Sequence, residues 1–348
     1  MAVGDSANMG WGSYLFIGRE TSFKTYATCT AGLRFISHSM STTKESKILE
    51  HISTDRTYAD RILLGKTVEG EIEAYAAADS NAFVYLLQNA FGGGNPTSAT
   101  GTGETTGGLS FEHQFSVNNF DATYSSISIN ARKGNTTTGK IFEYNGVRVN
   151  EMTLSAEIDE ALKATFSLVG CDSTITANDV SANVTATGQT PLSFVDMRFS
   201  VETAVASLTT TSFWHVQNLE FMISNNLKTD SDSRRIGSDT LQVMPAGMAN
   251  LSLKATVRFD TTTAFDAMNS GTRLAAQAVF QGPTLAGSSL RQLIQLDFPC
   301  LYVANAGDPE VGGPDEILSS EIEFHVMRDK TASGYAVKAT VRNLTSSY

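Results

Sequence analysis

Residues 151–168 read EMTLSAEIDEALKATFSL. Met152, Leu154, Ala156 and Ile158 alternate with Glu151, Thr153, Ser155 and Glu157. Asp159 and Glu160 interrupt the pattern, and Leu162, Ala164, Phe166 and Leu168 then alternate back. Successive side chains of a strand point to opposite sides, so a period of two marks a strand with one buried face. Two such runs about a polar pair predict a β-hairpin.

The same period spreads outward in both directions. Val68, Gly70, Ile72, Ala74 and Ala76 oppose Glu69, Glu71 and Glu73. Leu251, Leu253, Ala255, Val257 and Phe259 oppose Asn250, Ser252, Lys254, Thr256 and Arg258. Ile322, Phe324 and Val326 follow, then Tyr335, Val337, Ala339 and Val341. Apolar-in, polar-out strands of this kind belong to antiparallel sheets. The fold class is mostly β.

Helices are few. Asp79-Ser80-Asn81 is a capping sequence before Ala82, Phe83, Leu86, Leu87, Ala90 and Phe91 at helical spacing, and Gly92-Gly93-Gly94 stops the run. A shorter candidate after Asp260 carries Ala264, Phe265 and Met268 and ends at Gly271.

These two regions repeat one order of features: strand, Asp, hydroxyl residues, short helix, glycine. Asp79 and Asp260 lie 181 positions apart. Glu20-Thr21 against Glu202-Thr203, Leu33 and Phe35 against Trp214 and Val216, and Arg56 against Arg235 keep nearly that offset. The pattern predicts a tandem duplication of one mostly β module. The expected organisation is an N-terminal arm (1–11), a first module (12–172), a linker (173–190) rich in Thr, Ala, Asn, Ser and Gly, and a second module (191–348), each module with one short helix.

Two stretches read as long loops. Residues 92–108 are GGGNPTSATGTGETTGG, and 304–316 hold Gly307, Pro309, Gly312, Gly313 and Pro314. Loops of this length in a compact fold are functional or disordered. They are expected at matching places in the two modules, as arms that reach a neighbour.

Composition narrows the function. Of 348 residues 41% are hydrophobic, enough for packed cores, while only 18% are charged, against about 25% in typical soluble domains. Either the β surface is rich in neutral polar residues or partner chains cover much of it. Lys and Arg total 25 against 36 Asp and Glu, a formal charge of −11, and Arg234-Arg235 is the densest basic point. A protein that grips nucleic acid carries a basic face. This chain lacks one, although an acidic wall can stand beside DNA and repel it. The first residues show no basic and apolar signal pattern, and no apolar run reaches the roughly 20 residues of a membrane span. Cys29, Cys171 and Cys300 are few and far apart, which reads as three free thiols in a reducing cytoplasm.

Catalytic patterns are missing. His38, His51, His113, His215 and His325 show no metal-ligand spacing, and no nucleophile elbow, Walker loop or dinucleotide fingerprint occurs. Asp230-Ser-Asp232-Ser begins like a calcium loop but lacks its glycine and terminal glutamate. Glu69, Glu71 and Glu73 without a neighbouring His or Tyr read as a charged face. Repeated around a ring, such a face makes a lumen of negative potential.

Several phrases resemble the tail tube proteins of long-tailed bacteriophages. They are residues 12–21 (GSYLFIGRET), 64–72 (LGKTVEGEI) leading to a helix, 144–154 (YNGVRVNEMTL) with 166–170 (FSLVG), 218–227 (NLEFMISNNL) and 294–299 (IQLDFP). The resemblance covers nearly the whole chain. It implies two tandem tail-tube β-barrel or sandwich modules, no enzymatic activity and no cofactor. It further implies rings stacked into a hollow tube through which DNA passes without specific binding. Two modules per chain then give a trimeric, pseudo-sixfold ring.

Carried onto this chain, the resemblance places Glu69, Glu71, Glu73, Glu151 and Glu157 from the first module at the lumen. Asn250, Ser252, Lys254 and Thr256 are their counterparts in the second, so the lumenal potential is expected to alternate. Segments 68–76 and 151–169 form the inner sheet of the first module, with 251–259 and 322–341 as equivalents. Gly93, Asn95, Thr100 and Glu104 in one long loop, and Asp308, Glu310 and Asp315 in the other, become ring-bridging candidates. Implied partners are further copies of the chain and other tail proteins (tape measure, tail tip, terminator), without a membrane. The implied location is the virion tail, after synthesis in the host cytoplasm. A two-module β adhesin or carbohydrate-binding protein is the competing reading. It requires exposed aromatics on one polar face, and the chain has only Trp11 and Trp214 as tryptophans. A hydrolase on a β scaffold is a third, and lacks a nucleophile–base pair.

Overall fold

The computed structural model describes residues 9–52, 56–100, 110–118, 120, 123–135, 139–180, 189–208, 213–309, 311, 315, 317–330 and 334–348. In chain order the strands are β1 (Tyr14–Glu20), β2 (Ala31–Leu33), β3 (Ser37–His38), β4 (Ser41–Ile48) and β5 (Arg61–Tyr75). After helix α1 (Asn81–Ala90) come β6 (Thr97–Thr100), β7 (Phe111–Ser116), β8 (Ser126–Lys133), β9 (Lys140–Glu157), β10 (Lys163–Gly170) and β11 (Asp172–Thr176). The second half holds β12 (Met197–Glu202), β13 (Val216–Ser224), β14 (Asn250–Arg258), helix α2 (Thr263–Ser270), β15 (Leu274–Thr284), β16 (Arg291–Ala306), β17 (Ser319–Val326) and β18 (Lys338–Asn343). All ladders among these 18 strands are antiparallel and link them into one sheet system.

Local chemistry explains the elements read from sequence. The β9–β10 hairpin turns at Asp159, which has a φ of +65°, a left-handed conformation that Asp tolerates better than most residues. The Ser80 hydroxyl accepts the Phe83 amide at 3.3 Å and caps α1. Gly271, at φ +64°, closes α2.

One pairing scheme occurs twice. In the first half β1 pairs β8, β8 pairs β9, β9 pairs β10 and β11, β10 pairs β5, and β5 pairs β4. In the second half β12 pairs β15, β15 pairs β16, β16 pairs β17 and β18, β17 pairs β14, and β14 pairs β13. Each helix occupies the same place, after β5 or after β14.

This scheme corrects three expectations. The equivalent of β9–β10 is β16–β17, and β18 corresponds to β11; the counterpart of residues 151–169 is therefore not residues 322–341. Residues 92–108 are not loop throughout, since β6 pairs β7, a pairing that has no equivalent among the described residues of the second half. The two long stretches are also not at matching places: 92–108 follows α1, while 304–316 runs from the end of β16 toward β17. The inserted hairpin lengthens only the first half, so the constant offset fails beyond the helix.

The halves are sewn together. β9 pairs β13 from Glu157↔Asn218 to Glu151↔Ser224, and the inserted β7 pairs β18. A single apolar core runs through both, with Phe83, Phe166, Phe221, Phe280, Phe298 and Phe324 among its fully buried side chains. Burial of such aromatics is the main favourable term in folding, about 1.5–3 kcal/mol each. Within the expected linker, residues 173–176 belong to β11, and Leu192, just beyond the linker, is fully buried.

Candidate functional site

Eight strands form a continuous run: β4, β5, β10, β9, β13, β14, β17, β16. Alternation gives the run one apolar face on the core and one polar face. Its register sets polar residues in rows across both halves. One row is Glu71, Ser167, Glu151, Ser224, Asn250. The next is Glu73, Thr165, Thr153, Met222, Ser252, His325, Tyr302. A third holds Ser155, Glu220, Lys254 and Glu323, and a fourth Glu157, Asn218, Thr256 and Glu321.

All nine sequence-predicted face residues, Glu69, Glu71, Glu73, Glu151, Glu157, Asn250, Ser252, Lys254 and Thr256, therefore share this one surface. Sequence reading missed Glu220, Glu321 and Glu323, which stand on it too. Their alternation was readable, but the register that places Glu220 and Glu323 on either side of Lys254 is a tertiary fact. Lys254 Nζ lies 3.6 Å from Glu323 Oε1. Glu220, Glu321 and Glu323 thus add carboxylates to the second half of the face, beside Lys254 and Arg258.

The run ends in two open edges. Each residue of β4 is exposed, and among the described residues no strand lies on its side away from β5. On β16, β15 covers one side as far as Leu301 while β17 takes the other from there on. Among the described residues, 302–306 thus have a free side, whereas β9 carries β13 on that side. Unpaired edges of this kind are templates for another chain.

A buried polar cluster ties β1, β8 and β9 together and to Met244 of the second half. The Glu20 carboxylate accepts from the Ser126 and Ser128 hydroxyls at 2.6 and 2.7 Å and from the amides of Gly146 and Lys24 at 2.8 and 3.0 Å. Desolvation still raises its pKa above the ordinary value. The Arg148 guanidinium stacks on Phe23 and Phe120 and donates to the carbonyls of Phe120 and Met244. Burial lowers its pKa to about 10.

The ring-bridging candidates are scattered. Gly93 is buried against Ser125. Asn95, Thr100 in β6, Asp308 and Asp315 are exposed. Glu104 and Glu310 lie outside the described residues. Among the described residues no group of three or more His, Cys, Asp and Glu is placed to hold a metal ion, and no helix is long and apolar enough to cross a membrane.

A family model described as phage tail tube protein matches residues 10–326. No curated protein matches the chain.

Proposed function

Because this chain belongs to the phage tail tube protein family, a family of structural virion tail components, we propose that copies of it close into rings that stack around a DNA-conducting lumen. The observation that carries this reading is the eight-strand run with an acidic face and two open edges. The free side of β16 in one copy fits β4 of the next, as β9 fits β13 inside the chain. Two repeats per chain make three copies a pseudo-sixfold ring.

The polar face then lines the lumen. Duplex DNA carries one negative charge per about 1.7 Å. Repulsion from glutamates reaches about 8–10 Å at physiological salt, enough to keep DNA off the wall of a narrow channel. Asn95, Thr100, Asp308 and Asp315 contribute to contacts between rings, and the tube joins other tail proteins at its ends.

Microscopy of the purified, concentrated protein tests the assembly. Rings or hollow filaments with three copies per ring are expected; a strictly monomeric protein, with and without other tail components, overturns it. The triple substitution of Glu69, Glu71 and Glu73 by Gln tests the lumen. Assembly should persist while DNA release slows, and unchanged release kinetics would remove the lumenal role.

A further inference from the structure

In the first half, one groove at the end of the sheet is filled by the chain itself. The residues just ahead of β12 cross it. The Gln189 side chain donates to Gly32 O at 2.6 Å and accepts the Arg34 amide at 2.8 Å. The Thr190 amide donates to Asp79 at 3.1 Å. Leu192 sits between two strand ends: its amide donates to Ala76 O at 3.0 Å and its carbonyl accepts from Leu162 at 2.9 Å. Phe194 follows, with its amide donating to Glu160 O at 3.3 Å in the β9–β10 turn.

The second half contains the same groove. The amide of Phe259 donates to Leu318 O at 3.0 Å, as that of Ala76 donates to Leu162 O at 2.8 Å. Asp260 follows at the rim, held by Arg258 at 2.8 Å and by His215 at 2.9 Å. Trp214, Val257, Phe259, Phe265 and Ile322 line an open groove of about 390 Å³. Among the described residues, no segment of this chain takes the place that Gln189–Leu192 take in the first half.

The matching segment exists one repeat earlier. β12 is preceded by a 3-10 turn, Phe194–Asp196, and β1 by another, Gly10–Gly12. Leu192 lies five residues ahead of β12 and Met9 five ahead of β1; Phe194 lies three ahead and so does Trp11. Leu192 is fully buried, yet Met9 is 57% and Trp11 83% exposed. Two large apolar side chains stand in solvent where the counterpart of one, Leu192, is packed in the core and that of the other, Phe194, is partly buried. Residues 1–8, the stretch that corresponds to Gln189 and Thr190, precede them outside the described structure.

We propose that residues 9–12, ahead of β1 in one copy, strap across the α2 groove of the neighbouring copy, with Met9 between Phe259 and Leu318 and Trp11 beside Leu318. The proposal rests on the ring reading, since the neighbour in the ring is the copy whose second half presents the groove. The linker of a single chain is then the covalent version of the contact between chains.

Mixed assembly of a Met9→Cys chain and a separately tagged Thr261→Cys chain, treated with a short bismaleimide, tests it. A cross-linked product carrying both partners is expected in rings or tubes. Rings that form without that product, or a double mutant that cross-links only within one chain, overturn the strap and leave the ring reading standing. Absence of any assembly overturns both. Because Met9 and Trp11 are exposed, M9S/W11S should fold as the parent does, with unchanged unfolding midpoint. Its critical concentration for assembly should rise roughly tenfold or more, the effect of losing two covered apolar side chains. An unchanged critical concentration also overturns the proposal.

Discussion

Lys254 on β14 faces Glu323 on β17 across the ladder, with Nζ 3.6 Å from the carboxylate oxygen, and Glu220 flanks it on the other side. Both partners in the ion pair are about two-fifths exposed, so the pair contributes at most about 1 kcal/mol to stability. Its larger effect is on the potential of the face. Lys254→Glu should place three carboxylates side by side in one row, each beside a like charge. The expected result is a small loss of monomer stability and poor assembly at low salt, recovered as salt screens the repulsion. Assembly yield against ionic strength reads it; a yield independent of salt would contradict the placement.

The stop of α1 depends on glycine. Gly93 has a φ of +80°, and a Cβ there would lie 2.6 Å from Ser125 Cα. Gly271 closes α2 at φ +64° with nothing within 4 Å of a Cβ. Gly93→Ala should cost at least about 2 kcal/mol, from left-handed strain plus a backbone clash, whereas Gly271→Ala should cost about 1 kcal/mol, from strain alone. Denaturant midpoints of the two variants give the comparison, and equal losses would refute it.

His113 ties the inserted hairpin to the end of the described chain. Its Nε2 is 2.7 Å from Thr345 O, which can only accept, so Nε2 carries the proton and Nδ1 accepts from the Ser98 hydroxyl at 2.7 Å. The imidazole is neutral and fully buried, and burial lowers its pKa below the ordinary value. A lowered histidine stabilises the fold above its unfolded pKa of about 6.5, and that contribution is lost as pH falls through the window below it. The protection of the β7 and β18 amides, taken relative to their intrinsic exchange rates, should therefore fall as the pH is lowered from 7.5 to 5.5. His113→Gln should flatten this response.

The cysteines should be chemically silent. Cys29 and Cys171 are fully buried, and burial pushes both thiols up to about 12. Alkylation depends on the thiolate. Native protein should therefore leave both unmodified at neutral pH over hours, while denatured protein labels at Cys29, Cys171 and Cys300. Rapid native labelling of Cys171 would mean that the layer beneath Leu241 and Met244 opens.

Strands with one wet face were legible, because period two survives wherever alternate residues meet water. β10 and β14 fall within a few residues of their expected bounds for this reason, and so does the end of β9, although that strand starts at Lys140, well ahead of the alternation that begins at Glu151. β8 did not announce itself: from Ser126 to Arg132 every residue is buried, Ser and Asn included, so no polarity alternates. Thr97–Thr100 hid in a Gly- and Thr-rich run, since its pairing with β7 comes from backbone bonds that composition does not encode. The nine face residues were found from alternation, but their rows were not. Register joins Glu151 to Ser224 and Lys254 to Glu323 over long sequence separations. The groove beside α2 was invisible because Leu192 and Met9 differ in burial, not in chemical type.

The β9–β13 ladder has a consequence for assembly kinetics. Within the proposed ring, every second seam is closed by folding of a single chain, before any two copies collide. Linking the repeats turns those seams from concentration-dependent encounters into intramolecular ones, with the entropy of association already spent during folding. Three partners must then meet instead of six. The seams also come in two kinds, one tethered and one free, and only the free kind can respond to protein concentration, to salt or to an initiating complex. A chain of this design can hold its subunits apart in solution while keeping half of each ring already built.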